Sequence, residues 1–166
     1  DEDQRRVAEG ATHERLYVVA GPGSGKTETV SARLTHLSED EELAGDSLLV
    51  ISFSRAAVEA VQRRQRKNAR HTAAWVTTLD SLASRILTDA GGDVTGLGFD
   101  DRIKALLKAL PDNPDVSSQL ASIEHLIVDE IQDVVGLRAE LLVALLRTLP
   151  SSTGFTLLGD PLQGIY

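Results

Sequence analysis

The sequence predicts an α/β fold in which a parallel sheet is flanked by helices. Three observations carry the expectation. Short apolar runs do not alternate with polar residues, amphipathic helical stripes lie between them, and a glycine-rich turn joins the first run to a helix. The 166 residues suit one domain, and a chain near this size buries roughly 68–70% of its unfolded surface.

Five runs have the composition of buried strands: "LYVVA" (16–20), "LLVIS" (48–52), "AWVTT" (74–78), "HLIVDE" (125–130) and "FTLLGD" (155–160). They are rich in Val, Ile and Leu, as expected of strands covered on both faces. Tyr17 reads as core within the first run, and Trp75 as packing at the start of the third. Helical spacing puts Leu79, Leu82, Ala83, Ile86 and Leu87 on one face, and Ile103, Leu106, Leu107 and Leu110 on another. The widest stripe runs through Leu137, Leu141, Leu142, Leu145, Leu146 and Leu149. Strand–helix alternation implies right-handed crossovers, but strand order is not readable from spacing. The stretch 88–124 breaks the rhythm with "GGDVTGLG", one helix, the breaker "PDNP" and a weaker helix through Val116, Leu120 and Ile123. It reads as a small helical insertion within a single domain spanning 1–166.

Composition narrows the function. With 42% hydrophobic but only 4% aromatic residues, the core must be mostly aliphatic. Absence of cysteine excludes disulfides, thiolate metal sites and thiol chemistry, and suits the cytoplasm. No apolar run approaches the ~18 residues of a membrane span, and the charged start "DEDQRR" is not a signal peptide. With no methionine, even at the start, the sequence reads as an excerpt or a processed product. A net charge of -8 disfavours a general polyanion-binding surface. The acidic run 39–42 reads as a solvated loop, and the basic run "RRQRKNAR" (63–70) as a solvated helix face. His13, His36, His71 and His125 are scattered, without metal spacing, and read as surface or strand-edge residues.

The chemistry-bearing stretch is "AGPGSGKT" (20–27), which follows a strand and opens a helix. Glycines at 21, 23 and 25 let the backbone fold into a ring of N–H groups around phosphate oxygens. Lys26 would reach the β- and γ-phosphates of ATP, and the Thr27 hydroxyl would hold Mg²⁺. Ala20 stands where the pattern begins with Gly. The residues expected around the phosphates are therefore Ala20, Gly21, Pro22, Gly23, Ser24, Gly25, Lys26, Thr27 and Glu28. "LIVDEIQD" (126–133) supplies the acids: Asp129 as the second Mg²⁺ ligand, and Glu130 as the base that orients and deprotonates water.

"VDEIQD" and "GDPLQGIY", in that order after "AGPGSGKT", resemble motifs II and III of the UvrD/Rep/RecB group of superfamily 1 helicases. Gln4 is similar to the Q-motif glutamine that reads adenine, "SFSRAAVEAVQRR" (52–64) resembles motif Ia, and "TLDSLASRIL" (78–87) resembles motif Ib. The resemblance implies the first RecA-like core domain of an ATP-driven motor that moves 3′ to 5′ on single-stranded DNA. It implies that Gln163 reports loss of the γ-phosphate, that Ser54, Arg55 and Thr78 touch the DNA backbone, and that Tyr166 stacks on a base. It also opens for the basic run 63–70 the alternative of a helix facing DNA phosphates. It also implies a second RecA-like domain, absent from this sequence, that completes the ATP site, so that this piece alone is expected to turn over little. Departures fall on the DNA side. Asp80 replaces a histidine, Arg55 and Ala56 replace Asn-Lys, and "DPLQG" points towards the RecB-like branch. A vestigial binding module and an ATPase not acting on nucleic acid remain as alternatives.

Overall fold

The structure, a computed structural model, describes residues 2–21, 25–39, 43, 45–53, 58–63 and 74–160. Its elements follow one another as α1 (Glu2–Ala8), β1 (Arg15–Val19), α2 (Lys26–Glu39), β2 (Leu48–Ile51), α3 (58–63), β3 (Trp75–Thr77), α4 (Leu79–Asp89), α5 (Phe99–Ala109), α6 (Pro114–Ala121), β4 (His125–Val128), α7 (Leu137–Thr148) and β5 (Gly154–Gly159). All strand pairings are parallel, and the spatial order is β1-β5-β4-β2-β3. The five apolar runs are the five strands. Among the described residues no helix is long and apolar enough to cross a membrane.

The lack of alternation in β2 and β4 has a direct cause. Successive side chains of a strand point to opposite faces, and here both faces are covered. Leu49, Ile51, Leu126 and Val128 pack with α4, α5, α6 and α7 in one apolar cluster. Leu48, Val50 and Ile127 pack with Val30, Leu34 and Leu37 of α2 in a second. The helices of 88–124 contribute Ile103, Leu106, Leu110, Val116, Leu120 and Ile123 to the first cluster. The "PDNP" breaker starts α6. Asn113 caps it by accepting from the Asp115 and Val116 amides, and Pro114 stands in the first turn, where no backbone N–H is needed.

β1 departs from the expected pattern. It lies at one end of the strand order and alternates in exposure, with Tyr17 58% and Val19 62% exposed. Tyr17 is therefore not core; only Leu16 and Val18 turn inward. Trp75 packs as expected, half-buried, with the Arg85 guanidinium 4.3 Å from its ring centre.

His125 also departs from expectation, because it is fully buried. Its Nδ1 lies 2.6 Å from the Thr12 carbonyl and its Nε2 2.9 Å from Thr156 Oγ1. Nδ1–H therefore donates to the carbonyl, and Nε2 accepts from the hydroxyl. The close fit needs a glycine opposite, since a Cβ on Gly154 would overlap the Thr12 and Glu14 carbonyls. Burial pushes the imidazole down to about 4, opposed by the bond to Thr12 and reinforced by the charge of Arg33. The unfolded chain takes up this proton near 6.5, so the contribution of neutral His125 is complete above that pH and is lost as pH falls towards 4. At 1.36 kcal/mol per unit the loss is about 3 kcal/mol. Urea unfolding between pH 7 and pH 4.5 should show a shallower fall in stability for His125→Gln than for the wild type; equal slopes would contradict the assignment.

Candidate active site

The sheet order places β5 between β1 and β4, so the carboxyl ends of these three strands adjoin. In parallel α/β sheets that end is where ligands bind. Lys26 begins α2, just beyond the loop that follows β1. Gly25 precedes it with φ +77, a conformation that costs glycine little, and its carbonyl accepts from the Glu28 and Thr29 amides to start the helix. Asp129 and Glu130 follow β4 directly. Lys26 Nζ donates to Glu130 Oε2 at 2.9 Å, joining the β1 side of the site to the β4 side.

Glu130 is held from several directions. It has φ 53, the only positive φ among the described non-glycine residues. Such a conformation costs on the order of 1–3 kcal/mol and persists only where the surroundings fix it. The Glu130 amide donates to Asp129 Oδ1 at 3.0 Å, and Gln132 Nε2 donates to Glu130 Oε2 at 2.6 Å. Gln132 in turn accepts, through Oε1, from the Asp160 amide at 3.0 Å. One amide side chain thus ties the acid after β4 to the end of β5. Gly159 makes this possible, because a Cβ there would lie 2.6 Å from Ile131 Cγ2 and 2.9 Å from Gln132 Oε1.

The two neighbouring acids are tuned in opposite directions. Burial raises the Asp129 carboxyl, the adjacent Glu130 charge raises it further, and the Glu130 amide and Lys26 only partly offset this. Burial also pushes Glu130 up, but hydrogen bonds from Gln132 and Lys26, with the Lys26 charge, bring it below its usual value. Lys26 is the cation beside this pair, and its side chain is only 9% exposed.

A second group of expected residues shares Lys26 with this pair. Gln4, Ala20, Gly21 and Lys26 line one cavity of about 240 Å³ with Val19 and Leu158. The Gln4 amide nitrogen packs so close to Gly25 that a Cβ there would lie 2.9 Å from it. Thr27 and Glu28 stand in the first turn of α2. Pro22, Gly23, Ser24, Ser54, Arg55, Gln163 and Tyr166 lie outside the described residues, as does most of the basic run 63–70.

Thr78 belongs to a separate groove, with Ser52, Phe53, Asp80, Val135 and Arg138. Its hydroxyl caps α4 by accepting from the Ser81 amide at 3.2 Å. Asp80 has a local reason to be acidic. Arg138 Nη2 and Nε donate to its two oxygens at 2.7 and 3.1 Å, and Nη1 reaches Asp100 at 3.4 Å, tying α7 to α4 and α5.

The sequence reading assigned no role to Gln132, although it stands within "DEIQD". The available signal was its place two residues after the acid, in a turn short enough for the amide to fold back. The register with β5 that gives it a second partner is not visible in sequence.

Comparison with known proteins gives the family. The family model described as "AAA domain" matches residues 3–166. The chain is 35% identical over 85 residues to the ATP-dependent DNA helicase UvrD1 of Mycobacterium leprae, covering 49% of this chain and 11% of that protein. It is 32% identical over 87 residues to DNA helicase II of Escherichia coli, covering 51% and 12%. With the ATP-dependent DNA helicase PcrA of Staphylococcus aureus the identity is 31% over 74 residues, covering 43% and 10%. The matched stretch is therefore about a tenth of each relative's length. Matched from residue 3 to residue 166, and carrying its charged pair where β1, β4 and β5 end together, the chain belongs to the AAA domain family, as a UvrD-like superfamily 1 domain of RecA-like fold.

Proposed function

We propose that this chain is the ATP-binding core of a motor that couples ATP hydrolysis to 3′-to-5′ movement along single-stranded DNA. The observation that carries the reading is the Lys26–Glu130 pair at the shared end of three strands. In the proposed cycle the γ-phosphate takes Lys26 from Glu130. Losing that cation raises the proton affinity of Glu130, which turns a weak base into a competent one when substrate is present. Glu130 then accepts a proton from the water that attacks the γ-phosphorus, and the bond from that phosphorus to the bridging oxygen breaks, leaving ADP. Gln132 keeps the carboxylate aimed throughout, and Gln163 reports loss of the γ-phosphate. Gln4 reads adenine, where an amide can bond N6 and N7 as a pair.

Mg²⁺ fits the residues present. Asp129 and Thr27 offer hard oxygen donors, and Asp129 is a buried acid pushed up by burial and by its acidic neighbour, a situation that a divalent cation relieves. When bound, the ion would neutralise charge on the phosphates. A second RecA-like domain of the parent chain is proposed to complete the site, and the lack of cysteine supports a cytoplasmic setting.

One observation favours a second reading, an ATPase that does not act on nucleic acid. The groove beside Thr78 carries Asp80 and Asp133, and its cation Arg138 is tied to Asp80 and Asp100. Hydrolysis by the full-length protein, with and without oligo-dT, separates the two. Strong stimulation supports the motor, and indifference to DNA supports the second reading. Lys26→Ala should abolish binding of a fluorescent ATP analogue; binding that survives unchanged would sink the phosphate-site assignment. Glu130→Gln should lower turnover in the full-length protein by about 10²–10⁴-fold, the range for a lost general base. Turnover within a few-fold of wild type would remove Glu130 from that role.

A further inference from the structure

Arg33 is a charged side chain that the proposed chemistry does not use, yet it is fully buried. It projects from α2, the helix whose first turn carries Lys26 and Thr27. Both of its terminal nitrogens donate to backbone carbonyls of one short segment. Nη1 donates to Ala8 at 3.3 Å and to Gly10, and Nη2 donates to Ala11 at 2.9 Å. Ala8 ends α1, and Gly10 and Ala11 lie in the segment leading to β1. A cation at the carbonyl end of a helix meets its partial negative charge, and a rigid fork suits several carbonyls at once better than an ammonium does. Burying a charge is costly unless such bonds are made, and these bonds tie the segment to α2.

The same α1 carries Gln4, whose amide packs against Gly25 immediately before the phosphate-binding helix. The seven residues of α1 contribute only Ala8 to the buried core, so apolar packing alone gives the helix little anchorage. We propose that Arg33 is a positioning residue for nucleotide selection. It fixes the carbonyl end of α1 and thereby sets Gln4 at the height of the adenine ring over the phosphate loop. One helix then gauges both ends of the nucleotide, the phosphates at its first turn and the base through Arg33. The inference rests on the proposed ATP-binding reading and deepens it by assigning the source of base selectivity.

The test measures affinities for ATP, GTP and inorganic tripolyphosphate by competition with a fluorescent nucleotide, on variants whose melting transitions confirm folding. Arg33→Lys keeps the charge but loses the fork. It should reduce the preference for ATP over GTP by about tenfold or more, the size expected for loss of one paired base contact, and leave tripolyphosphate affinity unchanged. Gln4→Ala should lose the same preference, and the double variant should be no worse than either single one, as expected for residues acting as a unit. Should Arg33→Lys fail to fold, Gly10→Ala probes the same joint from outside the site. Its Cβ would lie 2.7 Å from Glu14 Oε2 and 3.4 Å from Arg33 Nη1, so it should give the same selective loss. A retained ATP preference in a folded variant, or a parallel loss for all three ligands, overturns the positioning role. Wild-type protein that binds none of the three overturns the ATP-binding reading itself, which separates the two failures.

Discussion

The contact on which the rest of the structure depends is the ion pair between Lys26 and Glu130. The two residues are 104 positions apart in sequence and belong to different sides of β5. Bringing them within 2.9 Å requires that β1, β5 and β4 be neighbours and parallel, so that all three strands end on the same side. It also requires that the chain turn sharply after Val128, which it does through the left-handed conformation of Glu130. The local cost of that turn is offset by the hydrogen bonds that converge on the acid. Gln132 and Gly159 belong to the same constraint, one bridging to β5 and the other leaving room for the bridge.

An ion pair of this kind is a resting state that a polyanion can replace. A phosphate oxygen offers Lys26 more negative charge than a carboxylate does, and the acid it leaves behind becomes a stronger base. In the proposed cycle the arrangement links substrate arrival to activation of the attacking water through charge. The oppositely tuned neighbours follow the same logic. Asp129 is buried and holds its proton more readily, whereas Glu130 is steadied by donors. A carboxylate whose charge is uncomfortable is well placed to welcome a divalent ion, and one steadied by removable donors is well placed to act as a base.

Much of this was legible in the sequence, for identifiable reasons. β2 and β4 are buried on both faces, so their Leu, Val and Ile residues form unbroken runs that periodicity distinguishes from amphipathic helices. The stripes of α4, α5 and α7 have the spacing of one helical face, and Leu82, Ile86, Ile103, Leu106, Leu141 and Leu145 are buried accordingly. Lys26, Asp129 and Glu130 stand out in the sequence because the proposed phosphate chemistry calls for these residue types next to strand ends, and the structure brings Lys26 and Glu130 together. Failures came where burial depends on long-range placement. Tyr17 has the same apolar neighbours as a core residue, and only the lateral order of strands reveals that β1 stands at an end. His125 looks like a strand-edge residue until Thr12 and Thr156 close around it. Asp80 departs from the motif it resembles until Arg138, 58 residues away, is found against it. Each of these depends on a partner distant in sequence, which single-chain spacing does not encode.

The central claim is that the Lys26–Glu130 pair competes with nucleotide for the lysine. The most direct measurement is the dissociation constant for ATP, without divalent ions, of wild-type protein and Glu130→Gln. With the carboxylate gone, Lys26 no longer has to be drawn away and one negative charge no longer faces the phosphates. ATP should bind several-fold tighter to the variant, by an amount that shrinks as salt screens the charges. Equal or weaker binding by a folded Glu130→Gln protein would contradict it.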